Sequence, residues 1–353
     1  MIAGGSVAYA LLPHPLNYDI DGIAAVGSRL KVVEKAEDEV TVQTNSEDFK
    51  ILLFTDMHLD GKNKTSNVTV SHLIENISRE KPDLVLLGGD NVTSAFNRKR
   101  ANQLAQIFEK LGVYWAGGLG NHEGDNKYSV TREEMIDIFS SYDHCLIRKG
   151  AEDIWGVGNY ALNILNADGS LRHTYYFLDT GDEMSSELKA QYGFGEDDSP
   201  TDGAKESQVA WYTQKNDALR TKCGSFQSTL VVHIPLPQYK TAAENVTFLY
   251  GDKLENICAS AFDAGLFDAL QSGGTTKTVF CGHDHLNTFG IDCDGILLSY
   301  IQPSGYGSYT AASRLGYEEK DWLQGYTKLE LQLDGTFTAS RYRNHASEEA
   351  EYD

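Results

Sequence analysis

Ile51-Leu-Leu-Phe-Thr-Asp-Met-His58 and Leu84-Val-Leu-Leu-Gly-Gly-Asp90 share one plan: an apolar run, a break, then a side chain able to bind a metal. Apolar runs this short, bounded by glycine, read as buried strands rather than helices. The Asp90 carboxylate therefore emerges at the C-terminal end of its strand. Asp56 and His58 have one residue between them and can point to the same side of an extended segment. Three more stretches repeat the plan: Tyr114-Trp-Ala-Gly-Gly-Leu-Gly-Asn-His-Glu123, Val231-Val-His233 and Thr278-Val-Phe-Cys-Gly-His-Asp-His285. Between them helical spacing recurs. A helix is expected from about Ser66 to Arg79, another through Ala101, Leu104, Phe108 and Leu111, and a third through Val209, Tyr212, Asn216 and Leu219. Strand alternating with helix implies parallel pairing with helices outside. After His285 the chain turns strand-like, over Ile296–Ile301 and Tyr326–Leu333, then a turn at Asp334-Gly335 and one more strand, which suits a second sheet packed on the first.

Two divalent cations about 3.5 to 4 Å apart need a carboxylate bridging them and nitrogen or oxygen donors around each. Asp56, His58, Asp90, Asn121, His233, His283 and His285 supply that set, with Asp90 the natural bridge. Neutral imidazoles and carboxylates suit Mn, Fe(II) or Zn better than Mg alone.

The ordered series Asp-x-His, Gly-Gly-Asp, Gly-Asn-His-Glu, His and Gly-His-x-His resembles the calcineurin-like metallophosphoesterases over about residues 50 to 290. Trp155-Gly-Val-Gly-Asn-Tyr160, Glu206-Ser-Gln-Val-Ala-Trp-Tyr212 and His233-Ile-Pro-Leu-Pro-Gln-Tyr239 resemble the purple-acid-phosphatase-like branch. The resemblance implies an α/β fold, a four-layer αββα sandwich of two mixed sheets with metals at the strand ends. It assigns Asp56, His58, Asp90 and His285 to one ion and Asp90, Asn121, His233 and His283 to the other. It implies a phosphoester hydrolase, a phosphomonoesterase in the first place, in which a metal-bridging hydroxide attacks phosphorus. His122, next to Asn121 and not needed as a ligand, would protonate the leaving group or stabilise charge on the phosphoryl oxygens. A small diester, such as a cyclic nucleotide or a phospholipid headgroup, is the alternative substrate, and a non-catalytic binding scaffold a further one. Purple enzymes place tyrosine three residues after the bridging aspartate; Thr93 stands there, so an iron-tyrosinate colour is not expected.

The 353 residues carry a formal net charge of −21, which argues against a nucleic-acid or anionic-membrane surface. A phosphorylated small molecule or phosphoprotein is compatible, because local metal charge can capture an anion that the global field repels. Arg98-Lys-Arg100 is the tightest basic cluster and reads as a solvated helix face. The cysteines Cys145, Cys223, Cys258, Cys281 and Cys293 show no CxxC spacing, and Cys281 reads as a buried strand residue. His14, His72, His144, His173 and His345 lack motif surroundings and read as ordinary core or surface residues. Asp284 either orients a neighbouring ligand or shapes the turn.

Since the motifs must converge on one site, residues 49–345 are expected to form one catalytic domain, with 1–48 an arm or tether and 346–353 an acidic tail. Met1 to Leu12 is apolar but too short to span a bilayer, and fits a clipped anchor or signal as well as a plain soluble arm, which leaves a cytoplasmic or extracytoplasmic location open. Asn67-Val-Thr69 and Asn91-Val-Thr93 read as accidental sequons. Gly181 to Lys205 reads as a long loop, a substrate flap or an acidic excursion. Tyr306, in the glycine-rich turn after residue 303, could reach a substrate alongside Asn121 and His122, or simply pack.

Overall fold

The computed structural model describes residue 16 and residues 18–345, apart from 62, 96, 126 and 127. One sheet has eight strands in the order β1 (Leu30–Lys35), β2 (Glu39–Thr44), β6 (Tyr160–Leu165), β7 (Leu171–Phe177), β8 (Ser228–Val231), β9 (Thr276–Cys281), β11 (Ile296–Tyr300) and β10 (Gly290–Cys293). The other has five, in the order β13 (Phe337–Arg343), β12 (Gly325–Leu331), β3 (Phe49–Phe54), β4 (Leu84–Leu87) and β5 (Tyr114–Gly117). Both mix parallel and antiparallel pairs. The expected α/β architecture is therefore present.

Packing follows from which strand faces are apolar. β4 is buried along its whole length and β3 nearly so, as strands covered on both faces must be. One core joins the inner faces of the two sheets, through residues such as Phe54, Leu329, Tyr175 and Phe280. It also takes in the buried stripes of α1 (Asn63–Glu80), α2 (Arg98–Leu111) and α3 (Arg132–Ser140), which cover the five-stranded sheet. A second core joins the larger sheet to α5 (Glu206–Cys223), α6 (Pro237–Asn245) and α7 (Leu266–Gly273), through Tyr212, Tyr239 and Leu270. The layers run helix, sheet, sheet, helix.

β3, β4 and β5 are mutually parallel, and so are β8 and β9. Their C-terminal ends bring all five motif turns to one edge of the sandwich.

Some expectations need correction. Residues 30–44 are not a tether: β1 and β2 extend the eight-stranded sheet, β2 pairing in parallel with β6. Alternation of buried and half-buried side chains in β2 is the signal that they belong there. The acidic excursion contains a helix, α4 (Ser186–Tyr192), which starts at a Ser185 cap and stops at left-handed Gly193. Arg100 is not on a solvated face; it is fully buried, its Nε donating to the carbonyl of Asp60 at 2.8 Å. Asn91 is buried and donates to Gly118 and Glu123, so it is no glycan acceptor. The N-terminal apolar stretch and the acidic tail lie outside the described residues. No helix among the described residues is long and apolar enough to cross a membrane.

His173 is a core histidine, as its surroundings implied. Its Nδ1 donates to the carbonyl of Gly335 at 2.8 Å and its Nε2 accepts from the Thr229 hydroxyl at 3.0 Å. Burial pushes its pKa from 6.5 down to about 4. Between these values the unfolded chain binds a proton that the native one refuses, so stability is lost as pH falls through the window, by roughly 3 kcal/mol in total. Urea unfolding of His173→Gln and wild type should show that difference: the wild type loses the extra free energy below pH 6.5, whereas parallel pH profiles would show that His173 is not the cause.

Candidate metal centre

Each candidate ligand sits on a turn that leaves a parallel strand. The turns are tight, and four of the ligands adopt positive φ: Asp56 at 53°, His58 at 43°, Asp90 at 52° and His283 at 77°. Such backbone costs an L-residue about 1 kcal/mol or more and accumulates where a site demands a particular direction of a side chain. Glycine makes room for the approach. A Cβ on Gly89, whose φ is 99°, would lie 2.6 Å from His233 Nδ1; one on Gly120 would lie 2.1 Å from Asp90 Oδ1.

The side chains converge closely. Asp90 Oδ2 lies 3.4 Å from His58 Nε2 and 3.2 Å from His233 Nε2, between the two halves of the cluster. On one side Asp56 Oδ1 is 3.3 Å from His285 Nε2, which is 3.0 Å from His58 Nε2. On the other, Asn121 Oδ1 is 3.0 Å from His233 Nε2 and 2.9 Å from His283 Nδ1. Asp56, His58, Asp90, His233 and His285 are buried, and Asn121 and His283 half-buried.

Tautomers decide what this geometry can hold. His233 Nδ1 donates to the carbonyl of Gly88 at 2.8 Å, and His285 Nδ1 to the carbonyl of Tyr309 at 3.0 Å. A carbonyl only accepts, so each neutral ring turns the Nε2 electron pair toward the cluster. That of His233 meets oxygens of Asp90 and Asn121, which also offer electron pairs. Acceptor against acceptor is stable only with positive charge between them, a proton or a metal ion. With protons alone, burial opposes a charged His233 but Asp90 and Asp56 outweigh it and push it up to about 10. Burial likewise opposes ionised Asp56, yet facing His285 and His233 hold it down at about 2. Burial keeps His58 and His283 neutral, each at about 4. Two groups, Asp56, His58, His285 and Asp56, Asp90, His233, each have donors close enough to share an ion. The residues fit a pair of borderline divalent cations.

The supporting contacts were not legible as motifs. Glu123 accepts from the backbone N–H of Asn91 at 2.6 Å and of Gly120 at 2.8 Å, tying the Asp90 turn to the Asn121 turn. Arg132 donates to the carbonyl of Gly120 at 2.6 Å and pairs with Asp179. A capping box between Thr131 and Glu134 fixes that start of α3. Asp179 in turn accepts from the N–H of Val157, and Gln208 donates to both Asn159 and the carbonyl of Asp179. The strings around Trp155 and Gln208 are thus the bracing of the site. Tyr309 stacks flat on His285, ring centroids 4.3 Å apart, with its hydroxyl held by Glu255.

His122 stands beside the cluster, its ring centroid 5.5 Å from that of His58 and its backbone N–H donating to Asp90 Oδ1. Its Nδ1 is hydrogen-bonded to Asp125, and that bond, against burial, pushes its pKa up to about 9. Asp125, three residues on, carries no motif signal of its own in the sequence.

Tyr306 does not join them. Its hydroxyl lies 2.8 Å from His345 Nε2 and its ring stacks on His72, while the flanking Gly305 and Gly307 press against the backbone of Asp56, Met57 and His58. Asp284 shapes its turn, accepting from the N–H of Cys258 and the hydroxyl of Tyr300. Cys281 is a buried residue of β9.

The profile of calcineurin-like phosphoesterases matches residues 49–287, which contain all of these candidate ligands. An Arabidopsis thaliana protein named "Probable inactive purple acid phosphatase 14" is 31% identical over 325 residues, covering 82% of this chain and 76% of its own length. Another from that plant, "Probable inactive purple acid phosphatase 29", is 30% identical over 308 residues, covering 77% and 75%. A dimetal phosphatase from Danio rerio has a similar fold, with a TM-score of 0.52 at 17% identity over 81% of this chain and 94% of that one. This chain belongs to the calcineurin-like phosphoesterases.

Proposed function

We propose that the protein hydrolyses phosphoric monoesters at a dinuclear centre of Mn, Fe or Zn held by Asp56, His58, Asp90, Asn121, His233, His283 and His285, with His122 as general acid. The observation that supports it most is the set of facing electron pairs around Asp90, which calls for cations on both sides of one carboxylate. Two such ions would lower the pKa of a water held between them and neutralise the phosphoryl oxygens.

The chain's own groups supply the rest. Asp125 on Nδ1 leaves the Nε2 proton of His122 free for the oxygen that departs from phosphorus. With its side chain 42% exposed, His122 can meet a substrate arriving from solvent, unlike the buried ligands. Arg132 and Glu123 hold the Asn121-His122 turn in register with Asp90, so acid and ligands keep a fixed separation. Asp125 and Asp182 add negative charge at the mouth, and burial raises Asp182 to about 6. Capture of an anionic ester then depends on local cations rather than long-range steering.

The word "inactive" in the names of the plant relatives motivates a second reading, a scaffold that binds without turnover. Metal-loaded protein assayed against p-nitrophenyl phosphate and its bis ester separates the readings: monoester turnover is expected, bis-ester turnover alone indicates a diesterase, and neither indicates a scaffold. Asp90→Ala should lose at least one ion per chain and nearly all hydrolysis; two ions and near-normal turnover in that variant would remove the assignment.

His122→Ala should keep both ions, counted by elemental analysis, yet lose about two to four orders of magnitude in kcat, the range for a general acid. The loss should be smaller for p-nitrophenyl phosphate than for an alkyl phosphate, because a good leaving group needs little protonation. Equal losses would assign His122 to stabilising the phosphoryl oxygens instead.

A further inference from the structure

β13 carries Arg341 and Arg343 two residues apart, hence on one face of the edge strand. That face turns toward the eight-stranded sheet: Arg341 Nη2 donates to the hydroxyl of Ser299 at 3.0 Å, and the guanidinium lies 3.5 Å from the ring centroid of Tyr250. Arg341 is only 3% exposed. Among the described residues its Nε and Nη1, and Nε of Arg343, are buried without a hydrogen-bond partner. Burial lowers the Arg341 pKa, and the opposing influence is Tyr250 rather than a carboxylate. A buried guanidinium with idle donors is costly. In a chain of net charge −21 it is also conspicuous that, among the described residues, the Arg341 guanidinium is met by Ser299 and Tyr250 and not by a carboxylate, although Asp252 stands at the rim of the same cavity.

The two arginines line a cavity of about 90 Å³, together with Gln302, Thr288, Leu323 and the Gly251-Asp252 turn. That is room for about three waters or one small oxyanion. No residue of the metal centre lines it. Asp252, at the rim, is exposed and directs its backbone N–H to Thr288 Oγ1.

We infer that this cavity is a second anion site, built for a tetrahedral oxyanion of the phosphate class, with Arg341 as the buried fork and Arg343 at the mouth. Guanidinium donors in a fixed plane match such an anion, and the amide of Gln302 and hydroxyl of Thr288 can complete its shell. The site does not depend on the hydrolytic reading, because none of its residues touches the metal ligands' side chains.

The test uses the full, metal-loaded chain, with sulfate and phosphate as probes, acetate as the planar anion and chloride as the ionic-strength control. Calorimetric titration should find a sulfate site in the wild type that weakens on the order of ten-fold or more in Arg343→Gln and Arg341→Met, while both variants keep wild-type turnover of p-nitrophenyl phosphate. In chloride alone Arg341→Met should melt at or above the wild-type Tm, since an unpaired buried charge has gone, and sulfate should reverse the order by raising the wild type only. Should Arg341→Met fail to fold, the half-buried Arg343→Gln decides by itself. Unchanged sulfate affinity in the variants, or an Arg341→Met deficit of equal size with and without sulfate, overturns the site. Acetate binding as tightly as sulfate overturns its tetrahedral character.

Discussion

Electron pairs that face one another across Asp90 are the constraint on which the site is organised. Five strand ends deliver nitrogen and oxygen donors into one buried volume, and the Nδ1 protons of His233 and His285 are already committed to carbonyls. The Nε2 atoms of those two rings, and the carboxylates of Asp56 and Asp90, are left to accept. Positive charge would resolve the conflict, and a pair of divalent cations held by these residues would do so more fully than protons, since each could satisfy several donors at once. Filling the centre should therefore also stabilise the fold, because the ions bind native geometry that the unfolded chain does not possess.

Holding that arrangement has a conformational cost. Asp56, His58, Asp90 and His283 all occupy left-handed backbone, which the sheets must over-determine from both sides. Glycines at 89 and 120 admit the close approach of neighbouring turns, while Glu123 and Arg132 lock those turns to one another. Farther out, Asp179, Asn159 and Gln208 fasten Arg132 to the larger sheet. Stiffness of this kind keeps His122 at a constant distance from the ligands, as the proposed role of general acid would require.

Much of this was readable in the sequence because the metal motifs are local. An apolar run, a glycine and a donor specify strand, turn and ligand within about ten residues, and parallel topology carries each to the same edge. Contacts made across the chain left no such trace. Arg132 reaches the Gly120 turn from the start of α3, Glu255 reaches Tyr309 from a distant loop, and Arg341 reaches Ser299 across the two sheets. Nor does local pattern say that β1 and β2 join the larger sheet, since partnership of β2 with β6 is set by long-range register. For Tyr306 the sequence left two readings open, substrate contact or packing, and local pattern could not choose between them: the flanking glycines serve the backbone of the Asp56 turn and the ring is packed against His72.

The acidity of the whole and the cationic centre proposed for it fit together once charge is treated locally. A net charge of −21 repels anions at a distance, yet within a buried cluster bound ions would set the field. Anomalous diffraction from crystals of manganese-loaded protein tests that centre most directly. Two peaks about 3.5 to 4 Å apart are expected, with the Asp90 carboxylate between them, His285 on one, His233 on the other and His122 on neither. A single peak, or a pair that Asp90 does not bridge, would contradict the dinuclear account.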